Sequence, residues 1–161
     1  MKLETHADNI TRKANSMCYL MVVLKRSGVS LPHLLRFYTT FIRPTLEYAA
    51  PVWHPGLTQQ LSEQLEGVQR RALHSILPDK SYRQALESTG LPKLCDRRKD
   101  LCLNFARSTF NSEFRHWFPA QRHSCHGRNL RNNRQLSIPK CRTLRIQNSP
   151  IVYFSRLLNG E

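Results

Sequence analysis

Side chains of negative charge are scarce here, and long apolar runs are missing. Eleven Asp and Glu stand against 25 Lys and Arg, a formal charge of +14. A compact protein tolerates such an excess most easily when a polyanion neutralises it, either nucleic acid or an anionic membrane surface. The longest apolar run, Met17 to Leu24, is far shorter than the roughly 20 residues that span a bilayer. No signal-peptide pattern precedes it, so an intracellular place, nucleus or cytoplasm, is expected, with nucleic acid rather than membrane as partner. The five cysteines, Cys18, Cys95, Cys102, Cys125 and Cys141, are an odd number without a secretory context. A disulfide framework is therefore not expected. Gly-x-Gly-x-x-Gly, phosphate-loop and nucleophile-elbow patterns are absent, and no cofactor is expected.

What the chain does contain is apolar content sufficient for a core, 40% of 161 residues, and a lopsided charge distribution. Residues 1–60 carry 7 basic and 3 acidic side chains, residues 61–100 carry 8 and 6, and residues 101–161 carry 10 and 2. All but one of the basic residues in the last stretch are arginine, the side chain that grips phosphate bidentately and stacks on bases.

The apolar spacing predicts helices. Ile10, Ala14, Met17, Met21 and Leu24 form one stripe from His6 to Ser27, and Gly28 ends it. Ser30 and Pro32 open a second helix with Leu34, Tyr38 and Phe41 facing inward, which Pro44 should kink or stop. Pro51 to Gly56 reads as a turn. Thr58 caps a helix whose buried stripe is Leu61, Leu65, Val68, Ala72 and Ile76, with Glu66 and Arg70 paired outside. Ser81 and Gln84 fit a capping box, and Gly90 and Pro92 close that short helix. A further helix is expected from about Leu94 to Phe110, with Leu94, Leu101 and Phe105 on one face. Arg97, Arg98 and Lys99 near its start oppose the helix dipole, to be offset by Asp96 and Asp100 or by an external phosphate. Beyond Phe118 periodicity fails, and only Ile151 to Leu158 is apolar enough to dock back. The expected fold class is all-α: a compact helical bundle of about five helices over residues 1–118, then an irregular basic C-terminal tail over residues 119–161 with a short apolar terminal element.

Four blocks carry a resemblance. Phe41-Ile-Arg-Pro-Thr-Leu-Glu-Tyr-Ala-Ala-Pro-Val-Trp53 closely resembles a segment that follows the polymerase palm in reverse transcriptases of non-LTR (LINE-type) retrotransposons. Leu65-Glu-Gly-Val-Gln-Arg-Arg-Ala72, Gly90-Leu-Pro-Lys-Leu-Cys-Asp-Arg-Arg98 and Leu101-Cys-Leu-Asn-Phe-Ala106 follow in the same order, and Asn148 to Asn159 looks like the C-terminus of some of these enzymes. The likeness begins near Lys2-Leu3 and runs through essentially the whole chain, weakest from Gln121 to Cys141. It implies a helical thumb that grips a primer–template duplex, a basic extension that contacts RNA or DNA, and a reverse-transcriptase palm as a further partner.

The family's catalytic mark is missing. RNA-directed DNA polymerases hold two metal ions between paired palm carboxylates in a Tyr-x-Asp-Asp turn, because phosphoryl transfer needs both ions bridged. The four aspartates, Asp8, Asp79, Asp96 and Asp100, are all isolated. The chain is expected to be a polymerase fragment without catalytic residues, which does not act as an enzyme by itself.

Arg70, Arg71, Arg97, Arg98 and Lys99 are the leading phosphate contacts, against the alternative of a solvated face with salt bridges to Glu66, Asp96 and Asp100. Arg122, Arg128, Arg131, Arg134, Arg142 and Arg145 form a second basic surface, with His116, Trp117 and Phe118 as base-stacking groups ahead of it. Trp53 reads as a core anchor. His123, Cys125, His126 and Cys141 have the chemistry of zinc ligands without the spacing of a finger or knuckle, so no metal site is expected. His6 and Asp8 match a His-x-Asp iron-ligand pair but lack a distal histidine. Cys95 and Cys102 have ordinary core spacing. The expected function is sequence-nonspecific RNA or DNA binding. A helical protein-interaction module, or a transposon relic without function, is the alternative.

Overall fold

The computed structural model describes residues 3–122 and 135–160. It is all-α, and among those residues extended chain pairs only at an isolated antiparallel bridge between Gln121 and Leu136. In chain order the helices are α1 (Leu3–Arg26), α2 (Leu31–Phe37), a π turn (Tyr38–Ile42), α3 (Arg43–Glu47), α4 (Ala50–Trp53), a 3-10 turn (His54–Gly56), α5 (Gln59–Ile76), α6 (Tyr82–Thr89), α7 (Leu94–Phe110), a second 3-10 turn (Glu113–Trp117), α8 (Leu144–Gln147) and α9 (Pro150–Asn159). They group into two units that alternate along the sequence: Met1–Ala49 with Leu57–Arg97, and Ala50–Gly56 with Arg98–Glu161.

In the first unit the helix ends follow local chemistry. Gly28 adopts φ +85 and Val29 N–H reaches Leu24 O at 3.2 Å, closing α1 with the left-handed residue that only glycine takes cheaply. Thr58 Oγ1 accepts from Leu61 N–H at 3.3 Å at the start of α5. Ser81 and Gln84 form both bonds of a capping box on α6, and Gly90 ends it at φ +66. Helix α1 packs on α5, α2 and α3. The core takes Ala7, Ile10, Ala14 and Met21 from α1 and Leu61, Leu65, Val68, Ala72, Leu73 and Ile76 from α5. Each fully buried leucine or valine contributes about 1.5–3 kcal/mol over leaving it in water.

Three expectations give way here. Pro44 does not stop the helical path; the chain widens into the π turn at Tyr38–Ile42, and Pro44 sits in the first turn of α3. The wider turn holds one extra residue, so the buried positions become Leu34, Tyr38, Ile42 and Leu46, four apart, and Phe41 is rotated out to 53% exposure. Ser30 starts α2 without a side-chain cap; its hydroxyl pairs with His33 Nδ1 at 2.6 Å instead.

In the second unit, the turn from Pro51 to Gly56 is wound as a helical and a 3-10 turn, and it buries Trp53 as expected. The apolar cluster comprises Cys102, Ala106, Phe118, Leu136 and Phe154. The terminal apolar stretch is helix α9, begun by Pro150 and burying Val152 and Phe154. Along α7 the inward residues are Leu94, Arg98, Cys102 and Ala106, while Leu101 is half-buried and Phe105 is exposed. An arginine thus occupies a place in the stripe that apolar periodicity could not assign to it.

Candidate nucleic-acid interface

Arg70 and Arg71 lie side by side on α5, and both are exposed. The Arg70 guanidinium rests 5.3 Å from the Tyr82 ring centroid, rather than on Glu66. Arg71 Nη2 donates to Asn15 Oδ1 at 2.9 Å. Gln64 Nε2 donates to Asp8 Oδ1 at 3.0 Å, and Lys25 Nζ to Ser75 O at 2.7 Å. These pairs advance together along both helices, so α1 and α5 run parallel with a polar seam between them. The Asp8 carboxylate is a helix–helix contact there.

Arg97, Arg98 and Lys99 do not form one face, because successive helical residues point about 100° apart. Arg97 Nε donates to Glu47 Oε1 at 2.6 Å, leaving its side chain about a third exposed. Lys99 is exposed. Arg98 has 0% relative exposure, with its guanidinium 5.9 Å from the Trp53 ring centroid. Arg98 is thereby corrected from phosphate contact to buried packing residue. The offset to the helix dipole is corrected as well. Glu66 accepts from Leu94 N–H at 3.1 Å and Cys95 N–H at 3.0 Å, taking up the N-terminal donors that a phosphate would have used. Asp96 and Asp100 stay exposed.

In the second unit Arg142 and Arg145 are exposed, on either side of Thr143, which caps α8. Arg122 is half-buried, its backbone N–H donating to Gln135 O at 2.9 Å. Arg128, Arg131 and Arg134 lie outside the described residues, as do His123, Cys125 and His126 of the zinc-like set. Cys141 is half-buried, with its thiol donating to Pro139 O at 3.2 Å. No group of three or more His, Cys, Asp or Glu among the described residues is placed to hold a metal ion.

Of the proposed stacking groups, His116 and Trp117 are exposed. Phe118 is buried against Phe110, their rings perpendicular at 5.6 Å, and is corrected to a core residue. Phe114, which periodicity passed over, is 46% exposed and packs 4.7 Å from Trp117. The signal for it was its spacing of three from Trp117, one turn of a 3-10 helix. Arg115 stacks on Phe110 at 4.5 Å.

The titratable groups that burial perturbs most are not the exposed cations themselves, although the Tyr82 ring lies under Arg70. His54 is buried against Tyr153, its Nδ1 without a hydrogen bond, and burial together with the cations Arg98 and Lys99 holds its imidazole down at about 4. Burial pushes the Cys102 thiol up to about 12. The Tyr38 phenol is likewise raised by burial, and that of Tyr82 by burial and its hydrogen bond to Glu66. Such groups stay neutral at ordinary pH. The exposed arginines and lysines can neutralise a phosphate backbone. Compared with protein-family models, with curated proteins and with solved structures, the chain matches none.

Proposed function

We propose that this chain is a thumb-and-tail region like those of non-LTR retrotransposon reverse transcriptases, lacking the palm and so not a polymerase by itself. Its remaining capacity is sequence-nonspecific binding of RNA or DNA through phosphate contacts. The observation that carries the binding reading is the exposure of Arg70, Arg71, Lys99, Arg142 and Arg145 on a chain of charge +14. Backbone contacts of this kind position a duplex without reading its sequence.

Binding to single-stranded RNA, duplex DNA and an RNA–DNA hybrid, titrated with salt, tests the proposal. Affinity should fall steeply as salt rises, since each neutralised phosphate releases counterions. Replacing Arg70 and Arg71, or Arg142 and Arg145, by glutamine should flatten the salt slope by about 1 per lost contact. Point variants are preferable to a chain cut at Phe118, because the cut would remove Leu136 and Phe154 from the core cluster. Affinity that is constant from low to high salt would refute the proposal.

One observation favours the second reading, a helical module that docks on a protein such as a polymerase palm. In the second unit Val52, Phe105, Trp117, Ile151 and Phe154 line a cleft of about 360 Å³, and its chemistry suits an apolar side chain. A stoichiometric protein complex abolished by Ile151→Asp, with nucleic-acid affinity intact, would carry this reading over the first.

A further inference from the structure

The first unit holds a groove of about 710 Å³ between α1 and the segment formed by the π turn and α3. That is within the range of small-molecule sites, about 300–1,000 Å³. Asn9, Lys13 and Met17 line it from α1, Thr40 and Phe41 from the π turn, and Tyr48 from the end of α3. Both aromatic rings are unusually open to water, Phe41 at 53% and Tyr48 at 75% exposure.

Each ring owes its place to an irregularity in the backbone. The π turn moves Phe41 off the buried stripe and into the groove wall. Tyr48 leaves the helix at φ −53, ψ 126, and the next residue, Ala49, takes the left-handed φ of +52. For a residue with a side chain that conformation costs roughly 1–2 kcal/mol. Departures from regular backbone concentrate at functional sites, and here two of them present aromatic rings to one groove.

We infer that this groove receives an unpaired base of single-stranded RNA or DNA. The inference rests on the nucleic-acid reading above and gives it a specific site. Tyr48 and Phe41 offer flat faces for stacking, which tolerates any base. The Asn9 carboxamide can both donate to and accept from a base edge. The Lys13 ammonium supplies the charge for the adjoining phosphate. A wholly apolar occupant would leave Asn9, Lys13 and Thr40 without partners, and a second copy of the chain would bring another +14 against this one. A double helix keeps its bases stacked inward and cannot offer one to the groove.

The test compares the full chain with Tyr48→Ala and Tyr48→Phe by fluorescence anisotropy. The probes are labelled oligothymidylate, oligouridylate, an abasic strand of the same length and duplex DNA. Tyr48→Ala should weaken binding to the two base-bearing strands about tenfold, leave the abasic strand and the duplex at wild-type affinity, and be rescued by Tyr48→Phe. The two base-bearing strands separate RNA from DNA as the better ligand. Because Tyr48 is mostly exposed, the fold should persist, with an unchanged circular-dichroism spectrum as the check. An iodouracil-bearing strand irradiated with the full chain should crosslink at Tyr48 or Phe41. Unchanged affinity of Tyr48→Ala for base-bearing strands, an equal loss on the abasic strand, or crosslinks confined to other residues would overturn the site while salt-dependent binding stood. Absence of all binding at low salt would overturn the underlying reading too.

Discussion

The Tyr38 hydroxyl donates to Gln69 Oε1 at 2.7 Å, and both side chains are out of solvent. Gln69 Nε2 in turn donates to Pro92 O at 2.9 Å and to the Tyr82 hydroxyl at 3.1 Å, and Tyr82 donates to Glu66. Since Glu66 holds the first N–H groups of α7, one chain of hydrogen bonds links the π turn, α5, α6 and the α7 N-terminus within the first unit. Its members are fully satisfied only together.

Tyr38→Phe should therefore destabilise the protein by about 1–2 kcal/mol, the cost of leaving the buried Gln69 oxygen without its donor. Denaturant unfolding measures it. Nucleic-acid affinity under native conditions should not change, because neither residue reaches the surface. A variant as stable as the wild type would mean that water replaces the phenol, and that the network is not closed.

This network also marks the limit of what the sequence disclosed. Helix ends were legible from single residues: Gly28, Thr58, Ser81 with Gln84, and Gly90 all act within a few positions of themselves. The apolar stripe of α5 was legible for the same reason, since its period is set by the helix alone. The placing of Phe41 was not, because the π turn depends on how Tyr38, Ile42 and Leu46 pack in three dimensions. Glu66 was read as a surface partner of Arg70, and nothing local signalled that it would serve a helix that begins 28 residues later. Arg97, Arg98 and Lys99 looked like one basic cluster because adjacency in sequence hides their divergence around the helix. The exposed charges at Arg70, Arg71, Lys99, Arg142 and Arg145 were the legible part of the candidate site.

His54 makes stability depend on pH. Its folded value, about 4, lies below the ordinary 6.5, so between those values the unfolded chain takes up a proton that the folded one refuses. Stability should fall as the pH drops through that window and level off below it, and it should be insensitive to this group above pH 6.5. The full effect is at most on the order of 3 kcal/mol. Chemical denaturation at a series of pH values, with His54→Gln as the reference, isolates it from the carboxylates. Parallel curves for the two proteins between pH 4 and 6.5 would show that the buried imidazole is protonated without cost.

Gly67 stands in the middle of α5, where a glycine costs about 0.5–1 kcal/mol relative to alanine. A Cβ there would meet Arg71 Nη1 at 3.6 Å, an ordinary contact with the end of a flexible side chain. Gly67→Ala should raise the thermal midpoint by about 1–4 °C, and it should leave the Arg71 contact with Asn15 in place. A lower midpoint would mean that Arg71 cannot yield and that the seam between α1 and α5 is tighter than its spacing implies.

Arg98 and Arg142 are both arginines of the second unit, yet their replacement by alanine should read out in opposite experiments. Arg98 is buried beside Trp53, so Arg98→Ala removes packing along the whole side chain and should cost about 3 kcal/mol of stability. Under conditions where the variant is still folded, its salt slope should match the wild type, because no phosphate reaches that guanidinium. Arg142 is exposed, and Arg142→Ala should change stability by no more than about 0.5 kcal/mol while flattening the salt slope by about 1. Thermal unfolding and salt-dependent binding, measured on both variants, separate the roles. If Arg98→Ala kept its stability and lost affinity, the arginine would belong to the interface after all, and burial would be the wrong criterion for sorting the basic residues of α7.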